Sequence, residues 1–145
     1  MSSDALTQRA IDFAQQSGKV LLVDEDEGDL SFFRLILEGQ GFDVAACTSF
    51  EAGVQCLAVE PVDFVLVSQG GPAFEGRTVL DRSIQLDRHR AVLVVTRSID
   101  MSCYLEAMQM GAVDYLEKPV APSDLLRFIR AHIQIEKLKE RGTAA

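Results

Sequence analysis

Apolar residues in this chain fall into five short runs, and the stretches between them carry helical spacing. The runs are KVLLV (19–23), FDVAAC (42–47), DFVLV (63–67), AVLVV (91–95) and VDYLE (113–117), and each reads as a strand. KVLLV is continuous and bounded by charge, as in a strand covered on both faces. Between the runs, Leu30, Phe33, Ile36 and Leu37 form one stripe of a helix over 29–39, ended by Gly39 and Gly41. Thr48 or Ser49 caps a helix over 50–59, which Pro61 helps to stop. Further helices are expected over 77–86 and 99–110, the second stopped by Gly111. DEDEGD (24–29) and 68–76 read as loops. A last helix begins after Pro122, with Ser123 or Asp124 near its cap, and runs to about residue 140. Ahead of the first strand, Leu6, Ala10, Phe13 and Ala14 predict a short helix over 4–16, broken at Ser17-Gly18.

Strands alternating with helices predict an α/β fold. The expected form is a doubly wound, five-stranded parallel sheet with helices on both faces and right-handed crossovers. The expected organisation is a helical extension over 1–18, one domain over 19–140, and a disordered tail over 141–145.

Composition narrows the function classes. The 145 residues suit a single core, and 48% hydrophobic with 25% charged residues is ordinary for a globular domain. No apolar run approaches the roughly 18 residues that a membrane span needs. The N-terminus lacks an apolar signal core, so a cytoplasmic location with no membrane contact is expected. A net charge of -8 argues against direct nucleic-acid binding, which needs clustered Lys and Arg. Cys47, Cys56 and Cys103 have no close-spaced partner and read as reduced core residues. His89 and His132 lie far apart, which speaks against a zinc site.

In an open α/β sheet the chemistry sits outside the C-terminal strand ends. Strand one delivers Asp24, Glu25 and Asp26 there; strand three delivers Ser68. Strand four delivers Thr96 and Arg97, and strand five delivers Lys118. Carboxylates, hydroxyls and cations from four strands thus meet on one edge. Two nearby patterns are weaker. GPAFEGRT (71–78) approaches a P-loop, but arginine stands for its lysine and Pro72 removes a backbone donor. DEDEGD lacks the spaced ligands of a calcium loop.

VLLVDEDE, VDFVLVSQGGPAFEG, VLVVTRS and GAVDYLEKP, in this order and spacing, resemble the receiver domain of two-component response regulators. The resemblance covers about residues 19–140. It implies a five-stranded doubly wound fold, Mg²⁺ binding, and a phosphoryl group accepted from a histidine kinase on an aspartate at the end of strand three. By the same resemblance, Asp24 and Glu25 match the acidic pair that holds the metal. Thr96 matches the hydroxyl that contacts the phosphoryl oxygens, and Tyr115 the aromatic that changes rotamer on activation. Lys118 matches the lysine that reaches the acyl phosphate. Pro119 matches a proline whose peptide bond is usually cis in the family. Pro72 and Gly76 match the loop after the acceptor. Counting back from those two, the acceptor position is Ser68, and the aspartate is absent.

A serine hydroxyl can form a phosphate ester but not a mixed anhydride, and it needs a general base before it attacks. Phosphotransfer from a histidine kinase is therefore not expected. Loss of the aspartate also changes the metal case. With an aspartate at 68, the pocket carboxylates and Lys118 would carry -2; with Ser68 they carry -1, and Arg97 turned inward would bring the pocket to zero. The expectation is that Arg97 or Lys118 takes the cation's place by pairing with Asp24 or Glu25, the alternative being that Arg97 points into solvent. No cofactor is then required, while two carboxylates remain compatible with weak Mg²⁺ binding.

The expected function is a non-enzymatic signalling module, a pseudo-receiver that docks other proteins independently of phosphorylation. Its partners would be a histidine kinase or an effector protein. The last helix carries Leu125, Leu126, Phe128, Ile129, Ile133, Ile135 and Leu138, more apolar surface than one stripe needs, so part of the 99–140 face is expected to meet a partner or a second copy in a homodimer, the alternative being that the leading helix over 4–16 covers it. Two alternatives stand beside this. One is an active receiver that uses another carboxylate, Asp26 being the nearest in sequence. The other is Ser68 as a Ser/Thr-kinase target.

Overall fold

The apolar runs pair in register into one parallel sheet in the computed structural model, which describes residues 18–144. The strands are β1 (Lys19–Val23), β2 (Asp43–Cys47), β3 (Phe64–Ser68), β4 (Ala91–Thr96) and β5 (Asp114–Glu117), in the order β2-β1-β3-β4-β5. Helices α1 (Glu27–Gly39), α2 (Phe50–Val59), α3 (Arg77–Leu86), α4 (Met101–Met110) and α5 (Pro122–Ala144) alternate with them. The fold expected from the pattern is the fold found. The leading helix expected over 4–16 lies outside the described residues.

Side-chain alternation along each strand feeds two separate cores. Val20, Leu22, Phe64, Leu66, Leu93 and Val95 face α1 and α5. Leu21, Val23, Val65, Val67, Val92 and Val94 face α2, α3 and α4. Both faces are covered, which is why β1, β3 and β4 read as unbroken apolar runs. Along α5, Leu125, Ile129 and Ile133 make one buried stripe; Phe128 stacks on His132 and meets Phe64 edge-on.

Strand ends shift by one residue at most, and three helices differ from expectation at one end. Helix α1 begins two residues early, because the Asp26 carboxylate accepts the Asp29 N–H and caps it, so part of DEDEGD is helical. Helix α4 begins at Met101 rather than 99, because Asp100 caps it through the Cys103 N–H. Helix α5 runs past the end expected near residue 140, to Ala144. EKLKER is rich in good helix formers, and a single interior glycine, Gly142, costs only about 1 kcal/mol. Gly111 ends α4 as expected, in the left-handed conformation at φ 109°.

Gly76 is required by close approach. It starts α3 where the chain passes back over the end of β3, and a Cβ there would overlap the Ser68 carbonyl oxygen. Phe74, two residues earlier, holds φ at 54°, strained for a residue with a side chain. Its ring is buried in the second core, which offsets that strain and pins the loop.

Candidate functional site

The order β2-β1-β3-β4-β5 reverses between β1 and β3, and the tips of these strands open a cleft of about 210 Å³. Glu25, Ser68, Gln69, Thr96, Arg97 and Lys118 are among its lining residues.

Ser68 ends β3 and is buried. Its hydroxyl donates to Glu25 Oε1 at 3.2 Å and accepts the Gly70 N–H at 3.2 Å. Thr96 ends β4 and is also buried. Its hydroxyl donates to the Ser98 carbonyl at 2.9 Å and accepts the Ser98 N–H at 3.2 Å, a closed local turn. Lys118 follows β5, and its bond to Pro119 is cis. The ammonium reaches Asp24 Oδ2 at 2.7 Å and Asp29 Oδ2 at 2.9 Å. This ion pair is nearly dry: the Lys118 side chain is 9% exposed and that of Asp24 1%.

Arg97 sits one residue beyond the end of β4. Its guanidinium does not pair with Asp24 or Glu25. It bonds Asp26 Oδ2 at 2.9 Å and Asp29 Oδ2 at 2.8 Å, and is largely exposed. Asp29 therefore holds a cation on each side, Lys118 inside and Arg97 outside. The run of acids before α1 gave no sign of this role. The signal available was the Asp26-x-x-Asp29 spacing, which places Asp29 in the first helical turn, over the strand ends.

Burial pushes the Asp24 carboxyl above its ordinary value against the pull of Lys118. Burial likewise pushes the Lys118 ammonium down, but the bonds to Asp24 and Asp29 outweigh it and hold Lys118 above its ordinary value. These directions oppose each other on one contact. The charged pair prevails, because Asp24 also accepts the Asp26 N–H at 3.0 Å and Lys118 has a second carboxylate. The stability a raised lysine supplies is fully present below its unfolded value of 10.5 and is lost as pH rises through the higher folded value. The urea midpoint of the wild type is therefore expected to fall above pH 10.5, and by more than that of Lys118→Met over the same range.

The donor set suits Mg²⁺ poorly. The ion wants near-octahedral oxygens, one or two of them carboxylate. Here one oxygen of Asp24 faces an ammonium and the other a backbone N–H, and the hydroxyl of Ser68 is turned to Glu25. Among the described residues no cluster of three His, Cys, Asp or Glu stands ready to hold a metal, and no helix is long and apolar enough to cross a membrane.

Tyr115, in β5, is buried. Its hydroxyl donates to Gln69 Oε1 and accepts the Asp100 N–H at 3.1 Å. Neither Gln69 nor Asp100 stood out in the sequence. Position 69 reads there as a loop polar residue, and only its burial shows otherwise.

A family model described as response regulator receiver domain matches residues 20–130. The alginate biosynthesis transcriptional regulatory protein AlgB of Pseudomonas aeruginosa is 29% identical over 128 residues, 88% of this chain and 28% of that protein. The DNA-binding response regulator MtrA of Mycobacterium tuberculosis is 26% identical over 116 residues, 80% of this chain and 50% of that protein. The chain thus spans half or less of the length of these relatives. A CheY-like receiver domain protein from Methanospirillum hungatei, solved by crystallography, superposes with a TM-score of 0.78 at 26% identity, over 83% of this chain and 97% of that one. With strand order, strand-end residues and family match in agreement, the chain belongs to the response regulator receiver domain family.

Proposed function

We propose that this receiver domain is a docking module whose state is not set by phosphate on residue 68. The observation that carries the reading is the bonding of Ser68. Its hydroxyl is buried at the acceptor position and spent on Glu25 and Gly70, and a hydroxyl cannot form the acyl phosphate that exchanges with phosphohistidine. The cations fit the same reading, since Lys118 and Arg97 are each shared between two aspartates, which favours a pocket that needs no divalent ion. Asp26 is a poor substitute acceptor, because its carboxylate caps α1 and pairs with Arg97. Burial of Ser68 weighs against a Ser/Thr kinase, which needs an extended, accessible segment.

Output would pass through protein contact in the cytoplasm, with a histidine kinase, an effector protein or a second copy as the partner and no enzymatic step. Ile99, Met101 and Leu105 stand exposed at the start of α4, within the 99–140 face. The net charge of -8 weighs against direct nucleic-acid contact by this chain.

Intact mass after incubation with acetyl phosphate and Mg²⁺ tests the reading. Wild type is expected to stay unmodified, while Ser68→Asp gains one phosphoryl, about 80 Da. An acid- and base-labile phosphoryl on wild type would overturn it. A base-labile, acid-stable phosphate would mark the serine as a modified residue instead.

A further inference from the structure

Gln69 follows the acceptor position, yet its side chain is turned into the protein and is 3% exposed. A buried amide needs partners at both ends. Its Nε2–H donates to the Gly71 carbonyl at 3.1 Å, and its Oε1 accepts the Tyr115 hydroxyl. Its backbone is fixed as well: the N–H donates to the Val95 carbonyl at 2.8 Å, and the carbonyl accepts the Gly76 N–H at 3.0 Å. Gln69 is therefore anchored independently of Tyr115.

Beyond Tyr115 the chain of bonds continues. The Tyr115 hydroxyl accepts the Asp100 N–H, and Asp100 caps α4 by accepting the Cys103 N–H at 3.1 Å. The Cys103 thiol donates to the Pro72 carbonyl at 3.7 Å, back on the loop that carries Gln69. The Tyr104 ring meets that of Tyr115 edge-on with centroids 5.7 Å apart. One closed circuit thus joins the tip of β3, the middle of β5 and the first turn of α4. Ser68, Lys118 and the aspartates around it take no part in the circuit.

We infer that Gln69 is a latch: its amide holds Tyr115 in the core and so fixes the start of α4 in one arrangement, with no modification at residue 68. Swinging Tyr115 out would strand both Gln69 Oε1 and the Asp100 N–H without partners, a penalty that neutral hydrogen bonds set at up to about tenfold in population each. Ile99, Met101 and Leu105 flank the fixed turn, so their layout follows from the latch. That last consequence rests on the docking reading; the latch does not.

The chain has two tyrosines and no tryptophan, so nitration by tetranitromethane, mapped by peptide mass, reports on Tyr104 and Tyr115 alone. In wild type, half-buried Tyr104 is expected to react and Tyr115 to be spared. In Gln69→Leu, Tyr115 nitration relative to Tyr104 should rise about tenfold. In Tyr115→Phe, which keeps the ring in the core, amide exchange at Asp100 should rise by a similar factor. A Tyr115 that nitrates as fast as Tyr104 in wild type, or stays equally spared in Gln69→Leu, overturns the latch. If Gln69→Leu does not fold, unchanged exchange at Asp100 in Tyr115→Phe overturns it. A labile phosphoryl on wild type would defeat the docking reading and leave all these readouts as they are.

Discussion

Lys118→Met is expected to cost about 3–5 kcal/mol of folding stability, since it removes one partner of a buried ion pair and leaves the other charge in place. Asp24 is the group left behind. Its side chain is 1% exposed, and its remaining bond is to the Asp26 N–H. Asp29 loses less, because it keeps Arg97 and a quarter of its side chain meets solvent. The double variant Asp24→Asn/Lys118→Met should recover more than half of the loss, since no uncompensated charge then stays buried. Urea unfolding of the four chains, compared as a cycle, measures this. A single variant within about 0.5 kcal/mol of wild type would mean that water reaches Asp24, and that the pair does not hold the site together.

Gly76→Ala is expected to destabilise the fold by about 3 kcal/mol, the upper range for forcing atoms into a packed site. The obstacle is not backbone conformation, because Gly76 lies in the right-handed helical region. It is the Ser68 carbonyl oxygen, a backbone atom at the end of a central strand that cannot step aside. Relief would require α3 to lift from β3, dragging the strained Phe74 out of its core position. For a chain of this size the melting temperature should fall by about 10 °C. Gly39→Ala is the control. Its added methyl would meet nothing within 4 Å, so it should leave stability unchanged or slightly raised.

The sheet was legible in the sequence because burial on both faces makes parallel strands read as continuous apolar runs, and β1, β3 and β4 are such strands. The strand-end residues followed from the sheet. Asp24, Ser68, Thr96 and Lys118 are each the last residue of a strand or next to it, and strand ends are the best-placed points of such a fold. Pairing was less legible. Which cation meets which acid depends on the reach of α1, and α1 starts where the sequence reads as a loop. Asp29 was missed for that reason, and Arg97 was turned toward acids it does not bond. Gln69 was missed because its importance lies in burial, which a lone glutamine after a strand does not announce. The end of α5 was misplaced because glycine weakens a helix without forbidding one.

Strand β5 has only four residues and pairs on one side alone, the side of β4. Such a strand would ordinarily be the first to fray. Its far end, however, is fastened by Lys118 to Asp24, just past the end of β1, with β4 and β3 lying between. Peeling the edge therefore means breaking the buried ion pair at the centre of the sheet. The site acts as a rivet: it ties a marginal edge to the most protected strands, and makes the opening of one the opening of both.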